Sequence, residues 1–145
     1  MQVDFYHLTR DPAEKLAPML ADKSLKAGQR VLIVSQSESQ RHAISAGLWA
    51  YEPTSFLAHD FAGSEQEADQ PILISEQCVA NNAAKFIVIA DGHWRDEALQ
   101  ADRAFYLFTA DEIDGARSAW RQLSDQADVT PRYWKQDGGR WAEGP

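Results

Sequence analysis

Arg30-Val31-Leu32-Ile33-Val34 is the stretch on which the fold turns. Four consecutive aliphatic residues leave no polar face for water, so this strand has to be covered on both sides, as in a parallel sheet packed between helices. The flanking segments agree. Upstream, Val3 to Leu8 reads as a first strand. Asp11 then reads as a helix N-cap, with Pro12 at the first helical position and Glu14 three residues after the cap. Leu16, Met19, Leu20 and Lys23 carry that helix to Gly28, which suits the left-handed position after a helix end. Pro18 lies inside it and is expected to kink the helix or delay its start. Downstream, Ser37 and Gln40 form a capping-box pattern, and Ala43, Ile44, Gly47 and Leu48 fall on one side of the helix that follows. Strand, helix, strand, helix with tight connections is the βαβ pattern of a parallel sheet.

The rest of the chain continues the theme. Phe56 to His59 reads as a short edge element, and 63–70 as an acidic polar loop. Pro71 to Ser75, Lys85 to Ala90 and Ala104 to Phe108 are further strands, with a turn at Asn81-Asn82. Thr109 and Glu112 make another capping box, opening a helix to about Ser124. Pro131 to Trp141 reads as an irregular or hairpin-like tail turning at Asp137-Gly138-Gly139. With no repeat and no long linker, the expectation is one α/β domain over residues 1–145. Its sheet is mostly parallel, with helices on both faces in three layers.

Composition narrows the function. Of 145 residues, 44% are hydrophobic and 25% charged, the balance of a globular domain. No apolar run approaches the roughly 20 residues that span a bilayer, so no membrane role is expected. The start of the chain lacks a signal-peptide pattern, and a single cysteine, Cys78, cannot pair internally. The expected location is the cytoplasm. With 14 Lys+Arg against 22 Asp+Glu, the net charge of -8 disfavours a general nucleic-acid surface. The charge is nevertheless uneven: Glu52 to Glu76 contains no Lys or Arg, whereas Arg117 to Trp141 carries five cations against three aspartates.

A doubly wound domain invites nucleotide chemistry, but the signatures are missing. The loop Thr9-Arg10-Asp11-Pro12 after the first strand has no glycine, and GxGxxG, the phosphate loop and GxSxG are all absent. His7, His42, His59 and His93 have no metal-ligand spacing. No catalytic residue, metal or cofactor is therefore expected. The alternative is a small nucleotide-binding protein or enzyme using loop-borne His59 or His93. Cys78 reads as a small half-buried hydrophobe.

Binding features are clearer. Five tryptophans, Trp49, Trp94, Trp120, Trp134 and Trp141, are many for this length. Each could serve the core or an interface. Trp49 precedes Tyr51, Pro53 and Phe56, more aromatic surface than a short segment usually hides. In the last helix, Ile113, Ala116, Trp120 and Leu123 line one side, and Arg117 and Arg121 flank Trp120 one turn apart. Two guanidiniums beside a ring suit a carboxylate joined to an apolar group. Spacing alone favours the plainer reading, in which Arg117 pairs with Asp114 and Arg121 with Asp125 on a solvated face.

Several short segments, in order, resemble the chi subunit family of bacterial DNA polymerase III holoenzyme. They are Phe5-Tyr6-His7-Leu8, Gly28 to Ile33, Leu48-Trp49, Ser55 to His59, Gln70-Pro71-Ile72, Ala116-Arg117, Trp120-Arg121 and Gly139-Arg140-Trp141. The resemblance implies a nucleotide-binding-like α/β fold without enzymatic activity and a place in the clamp-loader assembly. It also implies binding to the acidic, phenylalanine-ended C-terminal tail of single-stranded-DNA-binding protein, and contact with the psi subunit or another clamp-loader component. DNA is then met only indirectly. On this resemblance Arg117 grips the tail, Trp120 takes an aromatic position beside it and Arg121 a neighbouring basic one. Trp49 and Phe56 fall in the psi-facing segment. The chain departs at Ala58-His59, where Pro-His is common, and at Ile113, where a further basic residue is expected.

Overall fold

A computed structural model describes residues 1–51, 57–137 and 140–144. Along the chain come β1 (Gln2–His7), α1 (Ala13–Lys26), β2 (Val31–Val34), α2 (Glu38–Trp49), β3 (His59–Phe61) and β4 (Ile72–Ser75). Then follow β5 (Phe86–Ile89), β6 (Arg103–Phe108), α3 (Ile113–Ser124), β7 (Thr130–Asp137) and β8 (Arg140–Glu143). The strands form one sheet in the order β3-β4-β2-β5-β6-β1-β7-β8. Pairing is parallel from β3 through β7, and β8 alone runs antiparallel, against β7.

All four residues of β2 are buried, as the unbroken aliphatic run requires. Its pleat divides them between two cores. Val31 and Ile33 pack with α1 and α2, whereas Leu32 and Val34 pack on the α3 side. β1 does the same: Tyr6 faces α1, and Val3 and Phe5 face α3. The domain is thus an α/β domain whose mostly parallel sheet carries helices on both faces.

Local details differ from the sequence expectations for physical reasons. The cap of α1 is Pro12, extended at φ -74° and ψ 162°, rather than Asp11, and it makes no side-chain capping bond. A residue without an N–H costs nothing at a helix start, and the Asp11 carboxylate is engaged by Lys15 and Gln136 instead. Pro18 does not delay the helix. It is buried within α1, and the Glu14 carbonyl below it has no amide donor four residues on. α2 meets this point through Gly47, where a Cβ would stand 3.2 Å from Pro18 Cγ and 3.4 Å from the Glu14 carbonyl oxygen. At the far end of α1, Gly28 takes φ +81° while its own amide and that of Gln29 bond to the Leu25 and Ser24 carbonyls, closing a Schellman motif.

On α2, Ser37 Oγ accepts from the Gln40 amide, but the Gln40 side chain turns away to the Ala90 carbonyl, so only half of the capping box forms. Ile44 and Leu48 are buried as expected; Ala43 is exposed, and Ser45 takes its place inside. The edge element is β3, starting at His59. Phe56 and the 138–139 turn lie outside the described residues. The tail does form a hairpin, but it is not irregular. β7 is a full sheet member, parallel to β1 from Thr130 to Lys135.

Candidate functional site

The capping box forms on the one-turn 3-10 helix Ala110–Glu112 that leads into α3. The Thr109 amide donates to Glu112 Oε1 at 3.0 Å, and the Thr109 hydroxyl bonds the same carboxylate at 3.1 Å. α3 then lays Ala116, Ala119 and Leu123 into the sheet. The two alanines let the helix approach closely, and Trp120 wedges in beside them. Its ring meets Phe5 edge-on at 5.1 Å and Tyr133 at 6.1 Å.

Between α3 and the sheet lies a cavity of about 350 Å³. Its walls are Phe5 and Phe108 from the sheet, Ile113, Ala116 and Trp120 from α3, and Tyr133 from β7, with Arg117 and Arg121 on its rim. Both arginines are exposed, and neither forms an ion pair among the described residues. The alternative pairings with Asp114 and Asp125 are therefore not made. An exposed pair on one helix gains too little to hold two long side chains together. The result is two free guanidiniums over an aromatic hollow. Trp120 belongs at once to the core and to the cavity wall.

Tyr133 was not legible as a site residue. It arrives because β7 pairs with β1, which places Tyr133 opposite Phe5. Its hydroxyl shares a hydrogen bond with His7 Nδ1 at 2.8 Å, and the His7 ring stacks on Phe108 at 5.1 Å. Burial, and then the charge of Lys135, lowers the His7 pKa. Burial raises that of Tyr133, against the pull of Arg117.

Two anchors hold β7 in register. The fully buried Asp4 carboxylate accepts from Gln2 Nε2 at 2.9 Å, Arg103 Nε at 2.7 Å and Trp134 Nε1 at 3.2 Å. Gln136 Oε1 accepts the successive backbone amides of Thr9, Arg10 and Asp11 at 3.2, 3.0 and 3.3 Å. That loop is where a nucleotide-binding domain would cradle phosphate; here a carboxamide of the chain itself occupies the amides.

The other sequence candidates lie elsewhere. Trp49, at the end of α2, is 50% exposed, with its ring 4.4 Å from that of His59. His59 is buried, its two ring nitrogens engaged by Ser45 Oγ at 2.7 Å and the Leu57 carbonyl at 2.8 Å, which makes it a structural group rather than an acid–base catalyst. His93 is exposed beside Asp91, whose carboxylate is bound at both oxygens by Arg95, at 2.8 and 2.7 Å. Burial, aided by Glu97, pushes the Cys78 thiol up to about 11, so it is not a nucleophile at neutral pH. Among the described residues no group of three His, Cys, Asp or Glu could hold a metal, and no helix is long and apolar enough to cross a membrane. Trp94, Trp134 and Trp141 are all partly buried against tyrosines of the core.

Comparison with known proteins points one way. The family model described as "DNA polymerase III chi subunit, HolC" matches residues 1–130. The chain is 35% identical over 74 residues to the DNA polymerase III subunit chi of Haemophilus influenzae, covering 49% of this chain and 51% of that protein. It is 29% identical over 77 residues to the subunit of the same name from Escherichia coli, covering 53% and 52%. The chain thus matches about half the length of either relative. The family match ends at residue 130, so the Tyr133 wall of the cavity lies beyond it.

Proposed function

The chain belongs to the DNA polymerase III chi subunit family, and from that premise we propose that it is a non-catalytic adaptor. It joins the acidic, phenylalanine-ended C-terminal tail of single-stranded-DNA-binding protein to the clamp-loader machinery, and it meets DNA only through that partner. The observation that carries the reading is the pair of unpaired guanidiniums, Arg117 and Arg121, over the aromatic cavity beside α3.

The mechanism follows from the chemistry of the two ends of such a tail. The terminal ring enters the hollow between Phe108, Trp120 and Tyr133, where burial of a phenyl side chain contributes about 1.5–3 kcal/mol. The chain-end carboxylate meets the Arg117 guanidinium, whose planar fork accepts a carboxylate through two parallel hydrogen bonds. Arg121 takes an acidic side chain that precedes the ring. Neither half suffices alone, which selects a peptide that is acidic and ends on an aromatic residue. At the opposite end of the molecule, half-exposed Trp49 is the anchor for the psi subunit or an equivalent clamp-loader component. Phe56 belongs to the same proposed contact.

Calorimetric titration with a synthetic acidic peptide ending in Pro-Phe tests the reading. Saturable binding that disappears when the terminal phenylalanine is removed is the expected result. Equal binding of a scrambled peptide with an internal phenylalanine refutes it.

A further inference from the structure

Lys15, Lys26, Arg95, Arg103 and Arg132 each pair with a carboxylate. Lys135, like Arg117 and Arg121, does not: it is exposed and forms no ion pair among the described residues.

Its place on β7 explains why that matters. Side chains two residues apart on a strand share a face. Tyr133 lines the cavity beside α3, so Lys135 projects from the same face, one pair further along. The register sets it opposite His7, and its charge is felt by the His7 ring. That ring in turn bonds the Tyr133 hydroxyl and stacks on Phe108, a wall of the cavity. Lys135 does not itself line the hollow; it stands next to the lining, beyond Tyr133 on the same face of β7 and beside His7. It also stands at a particular end. α3 begins close after β6, so its first turn lies near the C-terminal ends of the parallel strands, where His7 and Lys135 sit. At that end the helix offers the cavity the apolar Ile113, with Asp111 and Asp114 nearby in the chain, and its cations come only at Arg117 and Arg121.

We propose that Lys135 is the third cation of the tail site, a specificity-determining residue on β7 that holds one acidic side chain upstream of the terminal ring. The inference rests on the tail-binding reading above. It makes the site two-sided: the tail is clamped between a helix that supplies two guanidiniums and a strand that supplies an ammonium. An acid in the peptide is then read at a defined distance from the ring instead of through diffuse charge.

The test is a double-mutant cycle by calorimetry, using Lys135→Gln and a set of tail peptides in which each aspartate is replaced singly by asparagine. Lys135 is exposed, so its replacement leaves the fold intact, and thermal unfolding of the variant checks this. Lys135→Gln is expected to weaken the all-acid peptide about three- to fivefold at low salt, the upper range for one exposed charge pair. One asparagine peptide is expected to bind the parent equally weakly and to lose nothing further on the variant. A loss spread evenly over every peptide, or no loss at all, overturns the proposal. Arg117→Ala is run beside it. If that variant loses the peptide and Lys135→Gln does not, the β7 clamp alone falls. If Arg117→Ala binds normally, the site itself is wrong and the clamp falls with it.

Discussion

Replacement of Arg117 by alanine separates binding from folding at this site. Arg117 is exposed on α3 and forms no ion pair among the described residues. Its loss removes no buried partner, so unfolding free energy changes by less than about 0.5 kcal/mol. Binding is another matter. A charge-assisted hydrogen-bonded pair to the tail carboxylate contributes about 2–3 kcal/mol, so peptide affinity falls by about 30- to 150-fold. Ring burial in the cavity and the cation of Arg121 survive the change, so a weaker residual affinity that is still partly salt-sensitive is expected. The assay is a peptide titration at two salt concentrations, paired with thermal unfolding of the same samples. In the parent, added salt is expected to weaken binding only in part, because burial of the terminal phenylalanine is not screened. A variant that binds as tightly as the parent, or one that loses binding only because it is unfolded, refutes the reasoning.

Three further outcomes follow from particular contacts. Gly47→Ala brings a Cβ to within 3.2 Å of Pro18 Cγ, part of a buried, rigid ring, and 3.4 Å of the Glu14 carbonyl; overpacking of about 1–3 kcal/mol against the about 1 kcal/mol that Ala gains over Gly in a helix gives an expected net loss of up to about 2 kcal/mol, read by chemical denaturation. Trp49→Ala is expected to lose affinity for a clamp-loader component in a pull-down, while costing well below the roughly 3–5 kcal/mol of a core tryptophan, because the side chain is half exposed. Burial and Lys135 lower the His7 pKa from 6.5 in the folded chain, so below that value the unfolded chain binds more protons. Stability is therefore complete above pH 6.5 and declines as pH falls through the lowered value. His7→Gln flattens that part of the denaturation profile, and an unchanged profile would remove His7 as its source.

Much of this molecule is local. Whether Val31 to Val34 forms a strand buried on both faces, whether Thr109 and Glu112 open a helix, and whether Gly28 closes one are questions settled within a few residues of chain. Hydrophobic period and capping chemistry act at that range, and the structure agrees at each of these points. The departures have distant causes. The choice of Pro12 over Asp11 as cap depended on Gln136 claiming the Asp11 carboxylate from far along the chain. Pro18 stayed inside α1 because Gly47 on another helix makes room for it.

For the candidate site, sequence alone determined one wall. Arg117, Trp120 and Arg121 share a helix, and helical spacing brings them together whatever the rest of the chain does. Whether the two arginines were free or paired with Asp114 and Asp125 was open until the side chains were placed. The opposite wall was beyond reach. Phe5, Phe108 and Tyr133 are far apart in sequence, and they meet only because β1 runs between β6 and β7. β7 carries no clean apolar alternation to announce that position: Arg132 and Trp134 share one face, Tyr133 and Lys135 the other. It is drawn into the sheet by the buried Asp4 carboxylate and by the amides that Gln136 satisfies. Hydrogen-bond satisfaction between distant segments, which leaves no periodic trace in either one, is the physical reason that only the tertiary structure could turn a basic helix face into a cavity with two sides.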